Sequence, residues 1–318
     1  MTNCKRYKVA AIDLGTVSSR LVLAQVEGGA IVESSKHTEI TDLGEGVDAT
    51  GRFCEAAVER VLDACHMFVD EARAFGAACV CTTCTSAARD ASNAALLLDG
   101  LRGLGLEPQV IPGEVEARLT FFGVAHDFAG ERIIVADSGG GSTELATGVY
   151  APERGVFALE GTRSLDIGCR RVTERFFHDD PPTPGQMDAA RQWIREAMAP
   201  YFEGLADIGF AIDRVVAVAG TATSVVSIRE AMETYDSSRV HKAVVTADEL
   251  RTIEERLAAE PLEERKATVG LDPKRAGVIV AGFVILEEVL ALAGAYAYTA
   301  SESDILHGMI FEAAREIS

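Results

Sequence analysis

A stretch near the N-terminus returns later in the chain without a gap. KVAAIDLGTVSSRLVL and IIVADSGGGSTELATGV align at one constant offset, so that Asp13 falls on Asp137, Gly15 on Gly139, Ser18 on Ser142 and Leu21 on Leu145. Each copy is an apolar run that closes on an acidic residue and a glycine, then a second apolar run. That is the form of a strand, a tight turn and its hairpin partner. A repeated unit of this kind points to two similar α/β domains, each presenting an Asp-Gly turn. The 318 residues suit two domains of ordinary size, and the expected division is 1–126 plus about 300–318, and 127–299.

The flanking patterns fill in the rest. AIVESSKHTEI reads as a third strand, and CEAAVERVLDACHMFVDEARAFG carries apolar residues at helical spacing. AACVCTTC predicts a strand, and TSAARDASNAALLLDGLRGLG one helix capped by Thr85 or Ser86. LEPQVIP predicts a short strand, and GEVEARLTFFGVAHDF begins a helix with two glutamates in its first turn. In the second half HDDPPTPGQ is a surface loop, and VVAVAGTATSVVSI predicts a buried strand, a Gly-Thr turn and a helix. The segment from Pro273 to about Tyr298 predicts a single very apolar helix, and a last helix from about Ser303 returns to the first domain.

Composition excludes several classes. Hydrophobic residues at 48% and charged ones at 25% support large cores and exclude disorder. A formal net charge of -19 opposes nucleic-acid binding, and any phosphate site here must be locally basic. Asp13 interrupts the first apolar run, so no signal peptide is expected. AGVIVAGFVIL is too short to span a bilayer, and the expected location is the cytoplasm with no membrane anchor. Seven cysteines do not suggest a disulfide framework. Cys79, Cys81 and Cys84 lack the second ligand pair a metal site needs and read as small buried strand residues. None of the six histidines, His66 and His126 among them, has catalytic or ligand spacing. No GxSxG elbow or Walker A pattern occurs.

The chemistry therefore rests on the turns. Glycines in Asp-x-Gly-Thr let backbone N–H groups approach a phosphate, and the aspartate beside them can hold Mg²⁺ directly or through water. The second copy carries Gly139, Gly140 and Gly141, and a third Gly-Thr pair, Gly220-Thr221, follows another buried strand. Three such turns in this order match the phosphate-binding plan of the actin-like (ribonuclease H-like, sugar kinase/actin/chaperone ATPase) fold, with an interdomain cleft.

The ordered set AIDLGTVSSRLVL, CTTCTSAARDASN, IPGEVEARLTFFGV, DSGGGSTEL, AGTATS, LDPKRAGVIVAGFVILEEVL and SESDILHGMI resembles the exopolyphosphatase / guanosine pentaphosphate phosphohydrolase (Ppx/GppA) family over nearly the whole chain. The length is similar to its short two-domain members. The resemblance implies Mg²⁺-dependent hydrolysis of the terminal phosphate of inorganic polyphosphate or guanosine pentaphosphate, by a homodimer. Glu116, which on its own is a first-turn glutamate suited to the helix dipole, becomes the base that activates water. The resemblance gives Asp137 and Glu144 to metal binding and water positioning, with Asp13 as a further metal contact. Gly15, Thr16, Ser18, Gly139, Gly140, Gly141, Ser142, Thr143, Gly220 and Thr221 would bind phosphate. Arg89 would clamp it, with Lys274 and Arg275 as a basic pair and Arg163, Arg170 and Arg171 as a possible extension. Glu114 is expected to pair with Arg118.

Two positions depart from the family pattern. Val17 stands where asparagine is usual, and Ser138 where an aliphatic residue is usual. Three rival readings share these residues: a guanosine pentaphosphate 5′-phosphohydrolase, a small-molecule kinase of the same fold, and a weakly active phosphate- or nucleotide-binding regulator.

Overall fold

The repeat folds twice into the same sheet. The structure is a computed structural model that describes residues 6–153 and 155–316. Strands β1 (Arg6–Leu14), β2 (Ser18–Glu27), β3 (Ala30–Ile40), β4 (Cys79–Cys84) and β5 (Pro108–Val110) form one sheet in the order β3-β2-β1-β4-β5. Strands β6 (Arg132–Ser138), β7 (Thr143–Ala151), β8 (Val156–Leu165), β9 (Arg214–Val218), β10 (Val244–Thr246) and β11 (Ala297–Ala300) form the other, ordered β10-β11-β9-β6-β7-β8. In each sheet the first strand of the repeat is antiparallel to its hairpin partner and parallel to the strand after the crossover. The second sheet differs by one added antiparallel edge strand, β10. The chain divides into two compact units: residues through Gly123 with the segment from Ile305, and Val124–Asp304.

Alternation along β1 explains the first unit's two cores. Ala10, Ile12 and Leu14 face helices Glu55–Phe75 and Ala94–Gly103, meeting Val61, Phe68, Leu97 and Leu101. Val9 and Ala11 face the other way, onto Leu306, Met309 and Ile310 of the C-terminal helix Ile305–Glu316. A strand covered on both faces needs the continuous apolar run seen in β1. The exposed edge β3 carries Glu33, Lys36 and Glu39, which discourage pairing with another chain. No helix among the described residues is long and apolar enough to cross a membrane.

Two helices are shorter than the sequence pattern predicts. The segment after β4 breaks into Ser86–Asp90 and Ala94–Gly103. Asn93 causes the break: its side chain accepts from the Phe53 amide at 2.8 Å and donates to the Phe53 carbonyl at 3.1 Å, a local alternative to helix. Thr85 occupies the N-cap position, but its hydroxyl reaches the Leu14 carbonyl (3.5 Å) instead of capping. The long apolar helix from Pro273 to Tyr298 is really a 3₁₀ turn, Pro273–Arg275, then helix Ile279–Leu292, then β11. Gly294 at φ 62 stops the helix in the left-handed region. An unbroken apolar run cannot by itself separate buried helix from buried strand.

The central helix Ile279–Leu292 ends in a buried charge cluster. Arg191, from helix Pro184–Asp207, reaches both Glu287 and Glu254, while Arg195 holds Glu288 at 2.7 and 3.0 Å. Burial and the facing Glu287 carboxylate push the Glu254 carboxyl from 4.5 up to about 8. The folded state thus keeps a proton that the unfolded chain has already lost. Stability is fully present below the unfolded value and falls as pH rises through the folded one. We expect the melting temperature to drop between about pH 5 and about pH 9, and Glu254→Gln to flatten that drop. Calorimetry across that range tests it; an unchanged slope in the variant would show that Glu254 is not the group responsible.

Candidate functional site

The two Asp-Gly turns have the same geometry. The Gly15 amide donates to the Ser18 carbonyl at 3.0 Å, and the Gly139 amide to the Ser142 carbonyl, also at 3.0 Å. A β-carbon on either glycine would meet that carbonyl at 3.1 Å. Closing the turn this way uses neither of the next two amides. Among the described residues, the N–H groups of Thr16 and Val17 in the first turn find no protein acceptor. The same holds for Gly140 and Gly141 in the second. Buried or half-buried amides are normally paired, and two successive free ones form a nest suited to an anion. Val17 keeps this function although its side chain is buried in the core. Its carbonyl also receives the Thr41 and Asp42 amides.

The second turn is braced from behind. The amides that open helix Cys169–Phe176 hold its carbonyls: Cys169 donates to Gly139 and Arg170 to Gly140, both at 2.9 Å. Arg171 Nε donates to the Gly141 carbonyl at 2.9 Å. Gly168 makes this approach possible, since a β-carbon there would lie 2.3 Å from the Gly140 carbonyl. Thr143 Oγ1 donates to the Ile167 carbonyl at 2.6 Å. Ser142 is buried, and the Ser138 hydroxyl is buried without a hydrogen-bond partner among the described residues.

Equivalent positions then carry different charges. In the first unit Asp13 stands opposite Arg20 across β1 and β2. Arg20 grips the Asp13 carboxylate at 2.5 and 3.2 Å, and the Thr83 hydroxyl donates to it at 3.4 Å. In the second unit Asp137 stands opposite Glu144 across β6 and β7. Directly opposite residues of an antiparallel pair share a face, and like charges there repel. Asp137 is 6% and Glu144 2% exposed. Ser164 Oγ donates to Glu144 at 2.7 Å. Such a pair fits Mg²⁺, which keeps several waters and takes one or two carboxylates plus substrate phosphates. No group of three or more potential ligands occurs among the described residues, but Mg²⁺ does not require one. Asp13, expected from sequence as a further metal contact, pairs with Arg20 in this structure.

The first unit holds the candidate base. Glu116 lies in the first turn of helix Gly113–Ala125 and is 8% exposed. Arg89 Nη1 donates to Glu116 Oε2 at 2.7 Å and to the Ile111 carbonyl at 3.0 Å. A buried carboxylate needs such a partner, and this one also aims it. Arg118 pairs with Glu312 at 3.3 Å rather than with Glu114 as expected, because the C-terminal helix packs beside it.

The third Gly-Thr pair is no free turn. Gly220 and Thr221 lie inside the first turn of helix Ala219–Arg229, which starts directly after β9 with Ala219 at φ 67. Helix N-terminal amides remain available to an anion there. Arg275 packs on Gly220 so closely that a β-carbon would lie 1.9 Å from its Nη1. Lys274 and Arg163 are exposed, and Arg170 pairs with Glu174 at 3.3 Å.

Sequence reading missed Arg20, Ser164 and Gly168. Arg20 was within reach, because the repeat offset sets it on Glu144. Ser164 and Gly168 leave no local signal.

Comparison with known proteins shows relatives along nearly the whole chain. Residues 21–316 match the Ppx/GppA phosphatase family. Exopolyphosphatase 2 of Mycobacterium tuberculosis is 36% identical over 95% of this chain and 97% of its own length. A guanosine-5'-triphosphate,3'-diphosphate pyrophosphatase of Photobacterium profundum is 29% identical over 95% of this chain but only 58% of its own. The crystal structure of the Aquifex aeolicus member of the Ppx/GppA protein family superposes with a TM-score of 0.79 at 28% identity, covering 99% of both chains.

Proposed function

This chain belongs to the Ppx/GppA phosphatase family, and from that premise we propose that it is an exopolyphosphatase, removing the terminal phosphate of inorganic polyphosphate. It is a phosphoric anhydride hydrolase of the actin-like fold. The observation that carries the reading is the doubled nest: Thr16 and Val17, and Gly140 and Gly141, offer paired amides to phosphate oxygens.

Each residue then has a defined task. Each nest offers its amides to phosphoryl oxygens, with hydroxyls of Thr16, Ser18, Ser142 and Thr221 as further donors, while the Thr143 hydroxyl is engaged by the Ile167 carbonyl. Glu116 accepts a proton from the water that attacks the terminal phosphorus. The new P–O bond forms as the bridging P–O bond breaks, and orthophosphate separates from a chain one unit shorter. A guanidinium has five N–H donors, so Arg89 can hold Glu116 and a phosphoryl oxygen together. Asp137 and Glu144 would hold Mg²⁺, whose contribution there is to neutralise charge on the phosphoryl oxygens. Arg275 and Lys274 supply positive charge for the remaining phosphates in a chain whose net charge is -19.

The relationship to the Photobacterium protein keeps a guanosine pentaphosphate substrate as the second reading. Orthophosphate release from long polyphosphate, guanosine pentaphosphate and ATP, compared with Mg²⁺ present, separates the two. Release mainly from polyphosphate is expected. Release mainly from the guanosine compound would transfer the same residues to the second reading. ADP formation from ATP that requires an added acceptor and yields no orthophosphate would point to a kinase.

A further inference from the structure

We infer that Gly44 is a positioning residue that fixes the hydroxyl of Thr16. This rests on the phosphate-binding reading of the first turn. Gly44 is outside the repeat, in the loop after β3, and its amide donates to the Thr16 carbonyl at 2.8 Å. A β-carbon on Gly44 would lie 2.1 Å from Thr16 Cγ2 and 3.3 Å from Thr16 Cβ. The Thr16 methyl therefore occupies the space that any larger residue at 44 would take. Gly44 has no positive φ, so it is glycine for room rather than for backbone conformation.

A threonine side chain turns by exchanging its methyl and hydroxyl between staggered positions. Seating the methyl against Gly44 thus settles where the hydroxyl points. The loop that supplies Gly44 is itself held. Thr41 and Asp42 donate their amides to the Val17 carbonyl at 3.1 and 2.9 Å, and Arg60 Nε donates to the Thr41 carbonyl at 2.8 Å. The Ser19 and Thr41 hydroxyls are 2.9 Å apart.

In the second unit Thr221 also packs on a glycine, but with its hydroxyl nearest rather than its methyl. Gly282 sits inside helix Ile279–Leu292, where glycine is unfavourable. A β-carbon there would lie 2.4 Å from Thr221 Oγ1 and 2.7 Å from its Cγ2.

The test combines Gly44→Ala with Thr16→Ser, which keeps the hydroxyl and removes the methyl. Gly44→Ala is expected to raise KM for polyphosphate about tenfold or more, with kcat changed less. Thr16→Ser alone is expected to raise KM about threefold, because the hydroxyl loses its anchor. The double variant should match Thr16→Ser, since the colliding methyl is gone. Thr16→Ser is small enough to keep the test decisive if Gly44→Ala does not fold. An unchanged KM in Thr16→Ser, additive effects in the double variant, or a loss in Gly44→Ala confined to melting temperature would each overturn the inference. A wild-type protein that releases no phosphate would instead remove the reading on which it rests.

Discussion

Replacing Glu116 with Gln should lower kcat for orthophosphate release by about 10²–10⁴-fold, the range a positioned general base contributes. Gln keeps the volume and one oxygen for Arg89, so KM should move much less, while loss of the Arg89 ion pair should lower the melting temperature of a still folded variant. The geometry makes the base specific. Glu116 is 8% exposed and held by Arg89 at 2.7 Å, whereas Glu114 has no ion pair among the described residues. Glu114→Gln should accordingly leave turnover near that of the wild type. Steady-state kinetics of both variants, with circular dichroism to confirm folding, provide the comparison. Near-normal turnover in Glu116→Gln would remove it as the base.

The second large effect follows from the charge difference between the two copies of the repeat. Asp137→Asn should raise the Mg²⁺ concentration for half-maximal activity by about tenfold or more, because one of the two anionic ligands is lost. Asp13→Asn should behave differently. It leaves the half-buried Arg20 without its carboxylate and should lower stability by about 3 kcal/mol, with little change in the Mg²⁺ requirement. Melting curves with and without chelator and Mg²⁺ titrations of activity separate the two aspartates. Equal metal dependence in both variants would contradict the assignment of Mg²⁺ to Asp137 and Glu144.

Local features were the legible ones. The turns at Gly15 and Gly139 were readable because a glycine between two apolar runs determines a hairpin within a few residues. The matched registers, Asp13 with Arg20 and Asp137 with Glu144, follow directly from them. Contacts between distant segments were not legible. Arg89 was singled out for phosphate, yet its grip on Glu116 depends on how the Ser86–Asp90 and Gly113–Ala125 helices meet. Asn93 broke a helix by bonding Phe53, and Gly294 ended another inside an apolar run that had no charge to mark the boundary. Gly44, Gly168 and Gly282 look like ordinary glycines in sequence. Their significance is the volume that another element occupies.

The most direct test of the central claim is orthophosphate release from long polyphosphate with Mg²⁺, followed in parallel for the wild type and for folded Glu116→Gln. The account predicts release by the wild type and its near-complete loss in the variant. A silent wild type, or equal release by both proteins, would contradict it.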